Sequence, residues 1–306
     1  MNNTKFYYLY SILSITALSF FNPILYIYLL SKDFSFTEVG LYLSIFWLAS
    51  FVTELPCVAI TDNIGAKNSI LLSVVFRVVG LILLLSNSLI LLYISAILSA
   101  IAESFQSGTL TSWLINVNNK NNEEIDIDKV LSRNSLYSLF FSAVIGFVSA
   151  KYVYVYFKIL SIILSMSVFI ISFLCTYLFM QKLEQTQKIS IENLKGSIVT
   201  VKNSLKETLY VKSSVFLMIL FVIPSILDLG PSNQWQAVFE KLDADIIGYV
   251  WIGISVSGMF GSVIYEKLSN KLSKLRILYF FVIVNLGMLL MFIFIQNVYA
   301  KFILFM

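Results

Sequence analysis

Residues 6–30 read FYYLYSILSITALSFFNPILYIYLL, from Phe6 to Leu30, without one charged side chain. At about 1.5 Å of rise per residue, such a run is long enough to cross the roughly 30 Å hydrocarbon core of a bilayer as a helix. No water is available there to satisfy exposed N–H and C=O groups, so the run must be helical despite Pro23. It is also too long for the apolar core of a secretion signal and lacks a small-residue cleavage site. Working outward, the same reading predicts spans near Thr37–Ile60, Asn68–Leu85, Leu89–Val117, Leu131–Ala150, Tyr152–Met180, Ser214–Leu229, Ile246–Tyr265 and Ile277–Ile295. A tenth apolar run begins near Lys301. The expected fold is an all-α polytopic membrane bundle of about nine spans plus a partial tenth.

Composition agrees. Hydrophobic residues make up 58% of the 306 residues and charged ones 12%, with a mean hydropathy of +0.87. A soluble domain usually carries about 25% charged residues, so the solvent of this surface is largely lipid. The net charge of +4 comes from scattered lysines, which argues against nucleic acid as a partner. The chain has no histidine, which removes His-based zinc sites and triads. Cys57 and Cys175 sit inside apolar runs and read as small core residues rather than a disulfide or metal site. No phosphate-binding glycine loop occurs, so ATP is not the energy source, and no cofactor or metal is expected.

Orientation follows from the short loops. With the amino terminus inside the cell, fifteen Lys and Arg residues fall on the cytoplasmic side and five on the outer side. The expected location is the cell membrane, multi-pass, amino terminus cytoplasmic. Residues 181–213 hold six lysines and an apolar repeat through Ile189, Leu194, Ile198, Val201, Leu205 and Leu209. They read as an amphipathic helix on the inner membrane surface. The chain is thereby divided into a six-span half (1–180), a linker (181–213) and a shorter second part (214–306). Were the second part a repeat of the first, the chain would continue to about residue 390, so the second half is expected to be incomplete.

The segment Glu54-Leu-Pro-Cys-Val58-Ala-Ile-Thr-Asp62-Asn-Ile-Gly65-Ala-Lys67 resembles the loop 2–3 signature of the major facilitator superfamily. Asp62, Gly65 and Lys67 match it, while Val58 and Ala66 replace a glycine and an arginine. Glu54-x-Pro56, Ser107-Gly108-Thr109 with Trp113, and Trp235-Gln236 are similar to a bacterial branch whose second span ends Glu-x-Pro-Thr-Gly. Gly261 to Lys267 stands where a second copy belongs, with Tyr265 in place of the aspartate. Without the family, Gly65 still permits a tight turn, and Asp62 is expected just ahead of the third helix, near its N–H dipoles. An ordinary capped loop accounts for these residues equally well.

Four ionisable residues lie within spans: Glu54, Arg77, Glu103 and Asp228. Each costs at least a few kcal/mol at the bilayer centre, so each is expected to face a partner or water. Depth along the helices matches Arg77 with Glu54 as an intramembrane ion pair and leaves Glu103 and Asp228 level with each other and without a cation. Glu103, Ser107 and Thr111 fall at i, i+4 and i+8, one stripe of a helix. Helix–helix hydrogen bonding explains the two hydroxyls but not Glu103. Asn22, Pro23 and Tyr26 supply a kink and two polar groups, which plain helix breaking also explains. The resemblance implies that spans one, four and seven line a central cavity, placing Asn22, Tyr26, Glu103 and Asp228 on one pathway.

These readings point to a secondary transporter of a small amphipathic molecule, coupled to protons and working by alternating access. A carboxylate taken out of water holds its proton more tightly and releases it on rehydration. Export, and hence the terms antiporter and efflux, rests on the resemblance alone. A transport-inactive fragment or accessory membrane protein is the alternative, and an enzyme is not expected.

Overall fold

The computed structural model describes residues 2–121, 126–183, 206–216, 246–269 and 273–295, with scattered positions between 199 and 239 and at 297, 300 and 301. Among the described residues there are helices and no strands. The first span is α1 (Asn3–Phe21), a 3-10 turn at Asn22–Ile24, and α2 (Leu25–Leu30). The second is α3 (Phe36–Ile64) and the third α4 (Ala66–Leu84). The fourth is α5 (Leu89–Gln106) followed by α6 (Thr109–Asn121). The fifth is α7 (Ile127–Val148), a π turn at Ser149–Val153 and α8 (Tyr154–Tyr156), and the sixth is α9 (Leu160–Phe179). These six are long and apolar enough to cross a membrane. Two more helices, α10 (Ile246–Ser269) and α11 (Lys274–Phe294), carry shorter apolar stretches. Most of the 181–213 linker and the 214–229 span lie outside the described residues.

Local chemistry sets the helix ends. Ser35 opens α3 with a capping box: its hydroxyl accepts from the Glu38 N–H at 3.3 Å, and its own N–H donates to Glu38 Oε2 at 2.7 Å. Asp126 caps α7 by accepting from the Lys129 N–H at 3.0 Å. Pro23 has no N–H to give the preceding turn, and there the first span changes from α to 3-10 geometry.

In lipid the helices gain little from burying carbon against carbon, so small hydroxyl residues hold the first bundle together. α1 packs on α7 and α9, and α5 on α3 and α4. Ser165 donates to the Ala17 carbonyl at 2.7 Å, Ser19 to Ser142 Oγ at 3.2 Å, and Gln106 Nε2 to Ser14 Oγ at 2.8 Å. Thr53 and Ser104 share a hydrogen bond at 2.8 Å between the second and fourth spans.

The second part joins this bundle through α10, which packs along α7. Gly146 makes the approach possible, because a Cβ there would overlap the Trp251 indole. The indole N–H donates to the Ser142 carbonyl at 2.8 Å. Lys151, on the π turn, hydrogen-bonds the Tyr249 hydroxyl, and its ammonium lies 4.4 Å from that ring's centre and 5.6 Å from Phe147's. Two apolar clusters result. One lies at the amino-terminal end of the bundle and is built from first-part residues such as Phe6, Tyr10, Ile70 and Trp113. The other joins both parts toward the opposite end, through Tyr28, Leu29, Tyr154, Trp235, Phe239 and Val250. Beyond it, burial pulls the Lys32 ammonium below the usual lysine range, and its hydrogens go to the Leu84 and Ser86 carbonyls at 3.1 and 2.6 Å.

Candidate functional site

A cavity of about 750 Å³ lies between the first, second and fourth spans and the residues around Trp235 and Trp251. Its lining mixes aliphatic and polar side chains with the aromatic Phe21, Tyr26, Tyr42, Phe46, Trp235 and Trp251. Glu54, Arg77 and Glu103 all line it. Among the described residues, two carboxylates against one guanidinium give its lining a formal charge of −1.

The intramembrane ion pair differs from the expected one. Arg77 Nη2 lies 3.6 Å from Glu103 Oε2. Glu54 shares the cavity, yet no ion pair joins it to Arg77. Depth along the helix axes pointed to Glu54, but the azimuth of each helix decides which side chains meet. α4 and α5 are packed neighbours, and Arg77 reaches Glu103 across that contact. Glu103 is therefore not a carboxylate without a cation. The pair is lopsided: the Arg77 side chain is 6% exposed and that of Glu103 48%, so the cation sits in the wall and the carboxylate meets the cavity.

The stripe expected through Glu103, Ser107 and Thr111 does not run along one helix. α5 ends at Gln106, and Gly108, at φ 66°, turns the chain before α6. Ser107 remains on the cavity wall, while Thr111 lies 3.4 Å from the Tyr7 hydroxyl. Asn22 and Tyr26 both line the cavity. Asp228 lies outside the described residues.

The signature segment also differs from its expected form. α3 continues through Ile64, so Asp62 occupies its last turn rather than a loop, and Gly65 alone makes the turn into α4. Gly65 does so at φ 81° and ψ 153°, a conformation that side chains exclude. Lys67 Nζ donates to the Tyr177 and Met180 carbonyls at 2.8 and 2.9 Å, where it neutralises the carboxyl end of α9. Asp62, Gly65 and Lys67 border a second cavity of about 500 Å³ that shares Ser107 with the first.

Two contributions were not legible as site residues. The second span supplies Tyr42 and Phe46 to the wall beside Glu54, and of these only Glu54 stood out in an otherwise apolar sequence. Trp235-Gln236, offered by the sequence only as a resemblance, brings the second part into the cavity: Gln236 is buried against the broken turn of the first span.

A bundle of long apolar helices around a cavity that carries charges at membrane depth defines a multi-pass integral membrane protein. The chain belongs to the Major Facilitator Superfamily, whose sequence profile matches residues 7–306. It is 26% identical over 255 residues to YxaM of Bacillus subtilis (strain 168), described as an uncharacterized MFS-type transporter. That match covers 80% of this chain and 61% of the relative, so the chain spans about three-fifths of the relative's length. The nucleoside transporter NupG, known from the crystal structure of a mutant, shares the fold with a TM-score of 0.65 at 14% identity. That superposition covers 94% of this chain and 71% of NupG.

Proposed function

We propose that the protein moves a small amphipathic molecule across the cell membrane by alternating access, in exchange for protons and in the direction of export. The observation that carries this reading is the central cavity itself. Its aromatic side chains suit an apolar body, and the floor holds one buried guanidinium and two carboxylates. An amphiphile of neutral or positive charge fits the formal charge of −1, and aromatic faces favour a cation. The excess of lysine and arginine in loops on the amino-terminal side supports a cytoplasmic amino terminus. Residues 1–180 and 214–306 then act as the two moving halves, with 181–213 as the linker between them.

In this reading Glu103 carries the proton. Its carboxylate meets the cavity while bound to Arg77, so protonation neutralises it and loosens the pair. Glu54, on the same cavity wall, is then the remaining anion for Arg77 or for a cationic substrate. Asn22 and Tyr26 bound the substrate's path, and Asp228 is assigned to substrate range on sequence grounds.

The test uses the protein in proteoliposomes with an imposed pH gradient, a lipophilic fluorescent cation as probe and a nucleoside as comparison. Glu103→Gln is expected to abolish gradient-driven movement of the probe while the protein stays folded and inserted. Undiminished gradient-driven transport by Glu103→Gln would overturn the assignment.

A further inference from the structure

The side chain of Gln236 occupies a place in the first span that a helix normally fills for itself. Its Oε1 accepts from the Tyr26 backbone N–H at 2.8 Å, and its Nε2 donates to the Asn22 carbonyl at 2.8 Å. Residues 22 and 26 are the i and i+4 pair that an uninterrupted α-helix joins directly. One amide from the second part of the chain is thus inserted into a single helical hydrogen bond of the first. An inserted side chain is a recognised cause of helix distortion, and here it coincides with the 3-10 turn at Asn22–Ile24 and with Pro23. Gln236 is 4% exposed, Trp235 beside it 3%, and Phe239 one turn on is fully buried.

We infer that Gln236 is a gate residue: it clasps the end of the cavity remote from the amino terminus, and on its withdrawal Asn22 and Tyr26 bond to each other. Both states satisfy the same two backbone groups, one through the glutamine amide and one directly. That makes the turn a two-state element rather than a fixed staple, because neither state leaves the Asn22 carbonyl or the Tyr26 N–H without a partner, and the withdrawn glutamine amide meets water as that end opens. In the clasped state the seam between the two parts is filled at that end by Tyr28, Leu29, Tyr154, Trp235 and Phe239. In the released state the turn tightens to α geometry, moving Asn22 and Tyr26, which line the cavity. Opening of that end is thereby coupled to the shape of the substrate path. The inference rests on the alternating-access reading, but its test needs neither substrate nor pH gradient, so the two can fail separately.

The experiment measures thiol labelling in a background of Cys57→Ser and Cys175→Ser. Leu29→Cys reports on the clasped end, since Leu29 lines the cavity there and is fully buried. A membrane-impermeant maleimide is applied from the face remote from the amino terminus. Losing two neutral hydrogen bonds of the clasped state is expected to raise the labelling rate of Leu29→Cys roughly tenfold to thirtyfold in Gln236→Ala. Leu114→Cys, fully buried in the apolar cluster at the amino-terminal end, stays unlabelled if the protein remains folded. Gln236→Glu keeps the acceptor for Tyr26 and loses the donor to Asn22, so it gives an intermediate rate and serves if Gln236→Ala does not fold. Pro23→Ala leaves both clasp bonds intact but lowers the cost of a continuous helix, and is also expected to raise the rate. An unchanged rate in Gln236→Glu, or in Pro23→Ala, would show a passive staple and overturn the inference.

Discussion

The asymmetry of the Arg77–Glu103 pair makes a quantitative prediction. At 3.6 Å, two unit charges attract by about 4–5 kcal/mol at an effective dielectric constant of roughly 20. The net worth is smaller, because the Glu103 side chain is 48% exposed and already partly solvated, whereas that of Arg77 is 6% exposed. Removing one member of a buried pair costs about 3–5 kcal/mol when the other is stranded away from water. Glu103→Gln strands Arg77, so its cost is expected near the low end, about 3 kcal/mol. Arg77→Gln leaves a carboxylate that can take up water from the cavity and is expected to cost only about 1 kcal/mol. The double variant strands neither charge and is expected to cost about 2 kcal/mol, giving a coupling of about 2 kcal/mol. Equilibrium unfolding in mixed detergent micelles measures all four corners of the cycle. Effects that add to within about 0.5 kcal/mol, or a costlier Arg77→Gln than Glu103→Gln, would refute the reasoning. The same cycle with Glu54→Gln and Arg77→Gln is expected to be additive, because no ion pair joins those two residues.

Two glycines extend the test. Gly146→Ala drives a Cβ into the Trp251 indole at the α7–α10 contact and is expected to cost about 1–3 kcal/mol, with recovery on adding Trp251→Leu. The same unfolding assay checks it, and a variant that Trp251→Leu fails to rescue would count against that contact. Gly65→Ala forces a side chain into the φ 81°, ψ 153° turn between α3 and α4, at an expected cost of about 1–3 kcal/mol. Unaltered stability would mean that the turn adopts another conformation.

These contacts separate what was readable along the chain from what was not. The six spans of the first half, the helical class and the break at Pro23 follow from one-dimensional properties: apolar run length against bilayer thickness, and a missing N–H. The presence of charges at membrane depth is equally a matter of counting. Which charges pair is not, since each helix places its side chains by rotation as well as depth. Glu54 lay at the right depth for Arg77, and Glu103 lay at the right azimuth. A stripe drawn through Ser107 presumed one continuous helix, and a single positive φ at Gly108 ended it.

By itself, then, the sequence determined that this protein is a helical membrane bundle, because lipid allows the backbone of a long apolar run only one way to satisfy itself, and the Asp62, Gly65 and Lys67 segment carried the resemblance to the Major Facilitator Superfamily. Only the tertiary structure decided that the second span walls the cavity, that Arg77 belongs to Glu103, and that Gln236 fills a hydrogen bond of a helix 210 residues away. Each of these depends on how helices with nearly uniform apolar surfaces are turned toward one another. In a bilayer that choice is made by a few glycines, hydroxyls and amides, whose partners lie far apart in the chain.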